Sequence, residues 1–112
     1  MTEAEAAWLA GFFDGEGSLI TYPSPRSKYG TAWALSIPNA HQGAVEKCRQ
    51  MTGAGTVRRR LRVVPVHYKP QWLWEINSQR NIASIVRQML PYLVVKRQAG
   101  EDFLTIWSDI QE

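Results

Sequence analysis

An α+β fold, one antiparallel sheet with helices on one face, is what the order of patterns along this 112-residue chain predicts. Short stretches with alternating apolar residues come in two hairpin-like pairs, and a stretch with apolar residues at helical spacing follows each pair. A helix precedes the first pair and another closes the chain, so the order is α-β-β-α-β-β-α-α. Hydrophobic content of 45% and charged content of 21% are globular values. The length suits a single domain, residues 1–112, with a core of its own.

The first helix is expected to start at Thr2, because Thr2 and Glu5 have capping-box spacing. It should run to about Phe13 and be stopped by Gly15 and Gly17. Ser18 to Tyr22 reads as a strand ended by Pro23 and Pro25, before a polar loop with Arg26, Lys28 and Tyr29. Thr31 to Ile37 reads as its hairpin partner, with Trp33, Leu35 and Ile37 on a buried face and Ala32, Ala34 and Ser36 on a small, open one. His41 to about Met51 is the second helix, with Ala44, Val45, Cys48 and Met51 inward, and Gly53-Ala54-Gly55 turns the chain. Thr56 to Val64 is a third strand that Pro65 bends or ends. Gln71 to Ile76 is a fourth, with Trp72, Trp74 and Ile76 on one face. Ser78 caps a helix through about Leu90, and Pro91 interrupts it. The last helix starts near Lys96 and places Phe103, Ile106, Trp107 and Ile110 on one stripe.

Bulk properties narrow the function. A net charge of +3 and a pI of about 9.3 are only mildly basic, so the distribution of charge says more than its total. The single Cys48 excludes an intrachain disulfide and suits a reducing, intracellular setting. The N-terminus has no signal-peptide pattern, and no apolar run approaches the ~18 residues of a membrane span. No membrane partner is expected.

Two segments carry chemistry. In the third strand Arg58, Arg60 and Arg62 share one face, and from Val57 to Lys69 there is no acid. Such a stripe suits phosphates and guanine edges, against the plainer reading of a solvated strand. Tyr22, Ser24, Arg26, Lys28 and Tyr29 extend the surface from the first hairpin, Ser36 lies on its open face, and Lys69, Gln71 and Glu75 extend it on the second. Glu75 would repel phosphate, so it either pairs with an arginine or accepts from a cytosine amino group. At the end of the first helix, Asp14 and Glu16 flank Gly15 where the dipole favours cations. Carboxylates beside a backbone carbonyl are hard ligands suited to Mg²⁺, while the plainer reading has the acids cap a neighbouring element. Ala7, Gly11 and Gly15 recur every four residues and form a strip along which another helix can approach closely. Pairing with a second copy is expected there, with packing inside the chain as the competing reading.

The run Leu9-Ala10-Gly11-Phe12-Phe13-Asp14-Gly15-Glu16-Gly17 resembles the motif that names the LAGLIDADG homing endonucleases. The hairpin, helix, glycine turn, second hairpin and the segment Pro91-Tyr92-Leu93-Val94-Val95-Lys96-Arg97-Gln98 are also similar to that family. The resemblance implies an αββαββα fold whose saddle-shaped sheet sits in the DNA major groove. It implies a homodimer paired through the motif helices, acting as an endonuclease on a long, pseudo-palindromic double-stranded site. It also implies a divalent ion, Mg²⁺ or Mn²⁺, held at Glu16 and Gly15, and no other small-molecule cofactor. Asn39 and Lys96 fall where the family places groups that position or polarise water, and Asp14 falls at the earlier acid, expected to support the helix end. Intron-encoded genes in bacteria, phages or organelles fit such an enzyme, which would work alongside its target DNA. A non-cutting DNA-binding protein and an intron RNA-splicing maturase are the alternatives on the same scaffold.

Overall fold

The computed structural model describes residues 1–60 and 70–111. Its elements are helix α1 (Glu3–Glu16), strands β1 (Ser18–Pro23) and β2 (Thr31–Asn39), helix α2 (Gln42–Thr52), strands β3 (Thr56–Arg59) and β4 (Trp72–Ile76), helix α3 (Gln79–Met89), a 3-10 turn (Leu90–Tyr92) and helix α4 (Arg97–Gln111). The strands form one antiparallel sheet in the order β1-β2-β4-β3. The predicted end of the third strand beyond Arg60, with Arg62 and Lys69, lies outside the described residues.

Register divides the sheet into two faces, because residues opposite one another in antiparallel strands point the same way. One face carries Leu19, Leu35 and Ile76 in one row and Ile37, Trp74 and Val57 in the next. The helices cover this face, and Leu9, Phe13, Val45, Ile82, Met89 and Phe103 complete the core with it. The Trp74 indole N–H donates to the Ala54 carbonyl at 2.9 Å, which satisfies the polar atom of the largest fully buried side chain. Gly55 is required beside it: its φ is +83°, and a Cβ there would lie 2.8 Å from the indole nitrogen and 2.7 Å from the Glu75 carbonyl oxygen.

Local signals fix the helix starts. Thr2 accepts from the Glu5 N–H while the Glu5 carboxylate accepts from the Thr2 N–H, a complete capping box. The Ser78 hydroxyl accepts from the Asn81 N–H, and the His41 Nδ1 accepts from the Ala44 N–H.

Three expectations need correction. Helix α1 does not stop at Phe13 or Gly15 but continues to Glu16, and Gly17 alone ends it, its N–H closing on the Phe13 carbonyl at 2.9 Å. Strand β2 continues through Pro38 to Asn39. Proline is accommodated because β1 pairing ends at Ser18 opposite Ser36, so beyond that point β2 has a neighbour on the β4 side only. Ala32 and Ala34 are buried rather than open. Tyr22 and Ile20 stand opposite them, and a methyl flanked by larger cross-strand side chains loses its own exposure.

Candidate functional site

The face of the sheet away from the core carries a polar row across all four strands: Ser18, Ser36, Glu75 and Thr56. Arg58 lies on the same face opposite Leu73, and Arg60 is tied to Gln71 by its N–H to the Gln71 carbonyl at 2.8 Å. Ile20 and Tyr22 stand on this face too, and Ile20 is 55% exposed. Glu75 makes no ion pair among the described residues, and its cross-strand partners are Ser36 and Thr56 rather than an arginine. The face therefore offers arginines, one carboxylate, small hydroxyls and the exposed side chains of Ile20 and Tyr22.

Ser18 begins the polar row, and Glu16 stands two residues before it at the end of α1. This places the acid of the helix end at the margin of the open face. Glu16 is exposed. Its neighbour Gly15 keeps helical backbone, and no donor among the described residues reaches the Gly15 carbonyl. Gly17 makes the sharp exit possible: a Cβ there would lie 2.2 Å from the Phe13 ring.

Asp14 behaves differently from Glu16. Its carboxylate oxygens accept from the backbone N–H of Val94 at 2.8 Å and of Lys96 at 2.9 Å. The Lys96 ammonium in turn donates to the Asp14 carbonyl at 2.8 Å. The two helix ends thus exchange charges. A cation sits at the C-terminus of α1, whose last turn has no basic residue of its own, and a carboxylate sits at the N-terminus of α4. One of the three ammonium donors is used by this carbonyl, which leaves two for other acceptors. Nothing local in the sequence signals this contact, because its partners are more than 80 residues apart along the chain for the Lys96 bonds.

Asn39 is brought to the turn before α2, where its side-chain oxygen accepts from the His41 N–H at 2.8 Å. Lys28 is drawn to the end of α4, with its ammonium 3.4 Å from the Asp109 carboxylate and 3.2 Å from the Asp109 carbonyl oxygen. The first-hairpin loop is held there, and Arg26, Lys28, Ser24 and Trp107 line a cavity of about 300 Å³ between loop and helix.

Along the strip, Gly11 and Gly15 are exposed and Ala7 is half-buried among the described residues. A Cβ at Gly11 or Gly15 would meet nothing within 4 Å among the described residues. Ala6, Leu9, Ala10 and Phe13 bury the other side of the helix. Trp8 packs at a tilt against Phe12 beside the strip, with the Lys47 ammonium 4.3 Å from its ring centre. No described helix is long and apolar enough to cross a membrane.

This architecture matches solved structures. The homing endonuclease I-CvuI in complex with its target aligns over 98% of this chain and 69% of its own, with a TM-score of 0.78 and 20% identity. The archaeal intron-encoded homing endonuclease I-Vdi141I, complexed with DNA, aligns over 93% and 67%, with a TM-score of 0.69 and 14% identity. The chain carries the LAGLIDADG homing-endonuclease fold. The meganuclease I-SmaMI bound to DNA shares this homing-endonuclease fold over 95% of the present chain but only 37% of its own, with a TM-score of 0.71 and 22% identity. No family model and no curated protein matches the sequence.

Proposed function

We propose that this chain is a homodimeric, divalent-metal-dependent endonuclease of the LAGLIDADG family that cuts a long, pseudo-palindromic DNA duplex. The observation that carries the reading is the end of α1. The exposed Glu16 carboxylate, the Gly15 carbonyl, which no donor among the described residues reaches, and the Asp14 carbonyl that anchors the Lys96 ammonium belong to three consecutive residues there, two positions before a sheet whose outer face bears arginines.

The donor set fits a hard cation. Glu16 and the Gly15 carbonyl are oxygen ligands suited to Mg²⁺ or Mn²⁺. Glu16 is one carboxylate toward such a site, and among the described residues no three His, Cys, Asp or Glu side chains gather into one. A second copy paired along Ala7, Gly11 and Gly15 would bring a second Glu16 to it, and the symmetric pair would face a DNA site of matching symmetry. Val94 and Val95, 80% and 73% exposed, add apolar surface suited to such pairing.

When bound, the metal lowers the cost of forming hydroxide and of charge on the phosphate oxygens. The chain's own groups do the rest. Glu16 holds the site at the helix end. The two remaining Lys96 donors offer hydrogen bonds to phosphate oxygens or to the attacking water. That water forms the new P–O bond as one ester bond of the backbone breaks. Arg58, Arg60, Gln71, Tyr22, Ser24, Arg26, Tyr29 and Ser36 grip and read the duplex, and Glu75 accepts from a base amino group. Lys28 acts from its station on α4, and Asn39 shapes the turn before α2.

The test is magnesium-dependent cleavage of a randomised duplex library, followed by the selected duplex with Glu16→Gln. The variant is expected to bind that duplex and leave it uncut. Full-rate cleavage by it sinks the catalytic assignment.

A further inference from the structure

We infer that Asp14 is a positioning residue for Lys96, holding its ammonium at the cutting site; the catalytic part of this inference rests on the function proposed above. Asp14 grips Lys96 at both ends of the side chain. A carboxylate oxygen takes the Lys96 backbone N–H at 2.9 Å, and the Asp14 carbonyl takes the Lys96 ammonium at 2.8 Å. The other carboxylate oxygen takes the Val94 N–H at 2.8 Å.

The segment it holds is anchored at its two ends, where the Leu93 N–H donates to the Met89 carbonyl at 3.2 Å and the Lys96 carbonyl accepts from the Gly100 N–H at 3.0 Å. Leu93 is buried, but Val94 and Val95 project into solvent. Charge-assisted bonds from two backbone N–H groups to one carboxylate are short and strong, and here they tie the exposed stretch between the 3-10 turn and α4 to the end of α1. A lysine on an unconstrained segment spreads its ammonium over many rotamers. Pinned at both ends, it keeps its two other donors directed at one place, one residue from Gly15 and two from Glu16 along the chain.

Two measurements test this. The first needs no activity: NMR of the Lys96 side-chain ammonium, with amide exchange of Val94 and Lys96, in the parent, Asp14→Asn and Asp14→Ala. The parent should show a slowly exchanging ammonium and two protected amides. Asp14→Ala should lose all three with the remaining core amides unchanged, and Asp14→Asn, which keeps one oxygen, should be intermediate. A Lys96 ammonium as ordered in a folded Asp14→Ala as in the parent overturns the inference.

The second is a double-mutant cycle of single-turnover cleavage on a duplex that the parent selects from the library. Asp14→Ala and Lys96→Met should each slow cleavage by about a hundredfold, with duplex affinity held within about twofold. The double variant should be no slower than Lys96→Met. Multiplying losses would mean that Asp14 acts independently of Lys96, and would refute the coupling. Should the parent cut no duplex, the proposed function fails and the NMR result alone decides whether Asp14 positions Lys96.

Discussion

One substitution, glycine to alanine, should have opposite effects at two sites six residues apart in the same motif. At Gly17 the new methyl would lie 2.2, 2.7 and 2.9 Å from three atoms of the Phe13 ring. Relief would require more than 1 Å of movement by one or both, since ordinary contacts begin at roughly 3.5 Å. The ring is 1% exposed and sits in the core, and the Gly17 N–H is bonded to the carbonyl of that same Phe13, so neither partner can retreat independently. Overpacking of this kind costs about 1–3 kcal/mol. A cost near 2 kcal/mol lowers the melting temperature by roughly 10 °C in a domain of this size. At Gly11 the same methyl meets nothing within 4 Å among the described residues and replaces glycine inside a helix. That should stabilise the monomer by about 0.5–1 kcal/mol. It should also weaken pairing, because each facing helix gains a methyl on the strip.

Denaturant unfolding over a range of protein concentrations, with sedimentation at each, separates the two effects. Gly11→Ala should be more stable than the parent at dilutions where both are monomeric, and less dimeric at higher concentration. Gly17→Ala should be less stable throughout. Parent-like stability of Gly17→Ala would show that the Phe13 contact is not the reason for glycine there. Destabilisation of dilute Gly11→Ala would show that the strip is packed within the chain.

Other outcomes follow from single features. Burial pushes the Cys48 thiol up to about 12, so iodoacetamide should label it only as fast as the protein unfolds; rapid labelling of folded protein would contradict its burial. The same shift makes unfolding easier as pH rises above 9.0, where the unfolded thiol ionises first, and Cys48→Ala should flatten that alkaline decline. Arg58→Ala should weaken duplex binding and reduce the slope of log affinity against log salt by about 1 if Arg58 contacts phosphate; an unchanged slope with altered sequence preference would make it a base reader.

What was legible in the sequence was local. The Thr2–Glu5 capping box, the Ser78 cap and the alternation in Trp33-Leu35-Ile37 and Trp72-Trp74-Ile76 each depend on residues a few positions apart. Spacing in the chain therefore maps directly onto contacts. The open strip of Ala7, Gly11 and Gly15 was visible as spacing, but whether the chain itself fills it is a tertiary question. The errors arose where a distant partner decides. The second strand reads as ending at Ile37, before Pro38, until β1 pairing is known to start only at Ser18 opposite Ser36. Gly15 reads as a helix stop until Gly17 is seen to be the residue that crowds Phe13. Asn39 and Lys28 are polar residues near a site by position alone. Their hydrogen bonds to His41 and Asp109 come from a turn geometry and a helix packing that no short pattern encodes.

The charge exchange between α1 and α4 leaves one carboxylate outstanding, and this has a consequence for assembly. Asp14 is satisfied by two backbone N–H groups and the C-terminal dipole of α1 by Lys96, but Glu16 remains exposed on the same helix end. An acid at a helix C-terminus is unfavourable by about 0.3–1 kcal/mol. Pairing that includes Gly15 brings the two Glu16 carboxylates toward each other and adds like-charge repulsion. In the proposed dimer a divalent cation held by both carboxylates would remove both penalties, so metal binding and dimerisation should be linked: whatever tightens one tightens the other by the same factor. Sedimentation of the parent in Mg²⁺ and in EDTA at equal ionic strength should show a tighter dimer with the metal. Glu16→Gln, which removes the repelling charge, should dimerise in EDTA at least as well as the parent and lose the response to Mg²⁺. A Mg²⁺ response of equal size in both proteins would show that the cation acts elsewhere than at the end of α1.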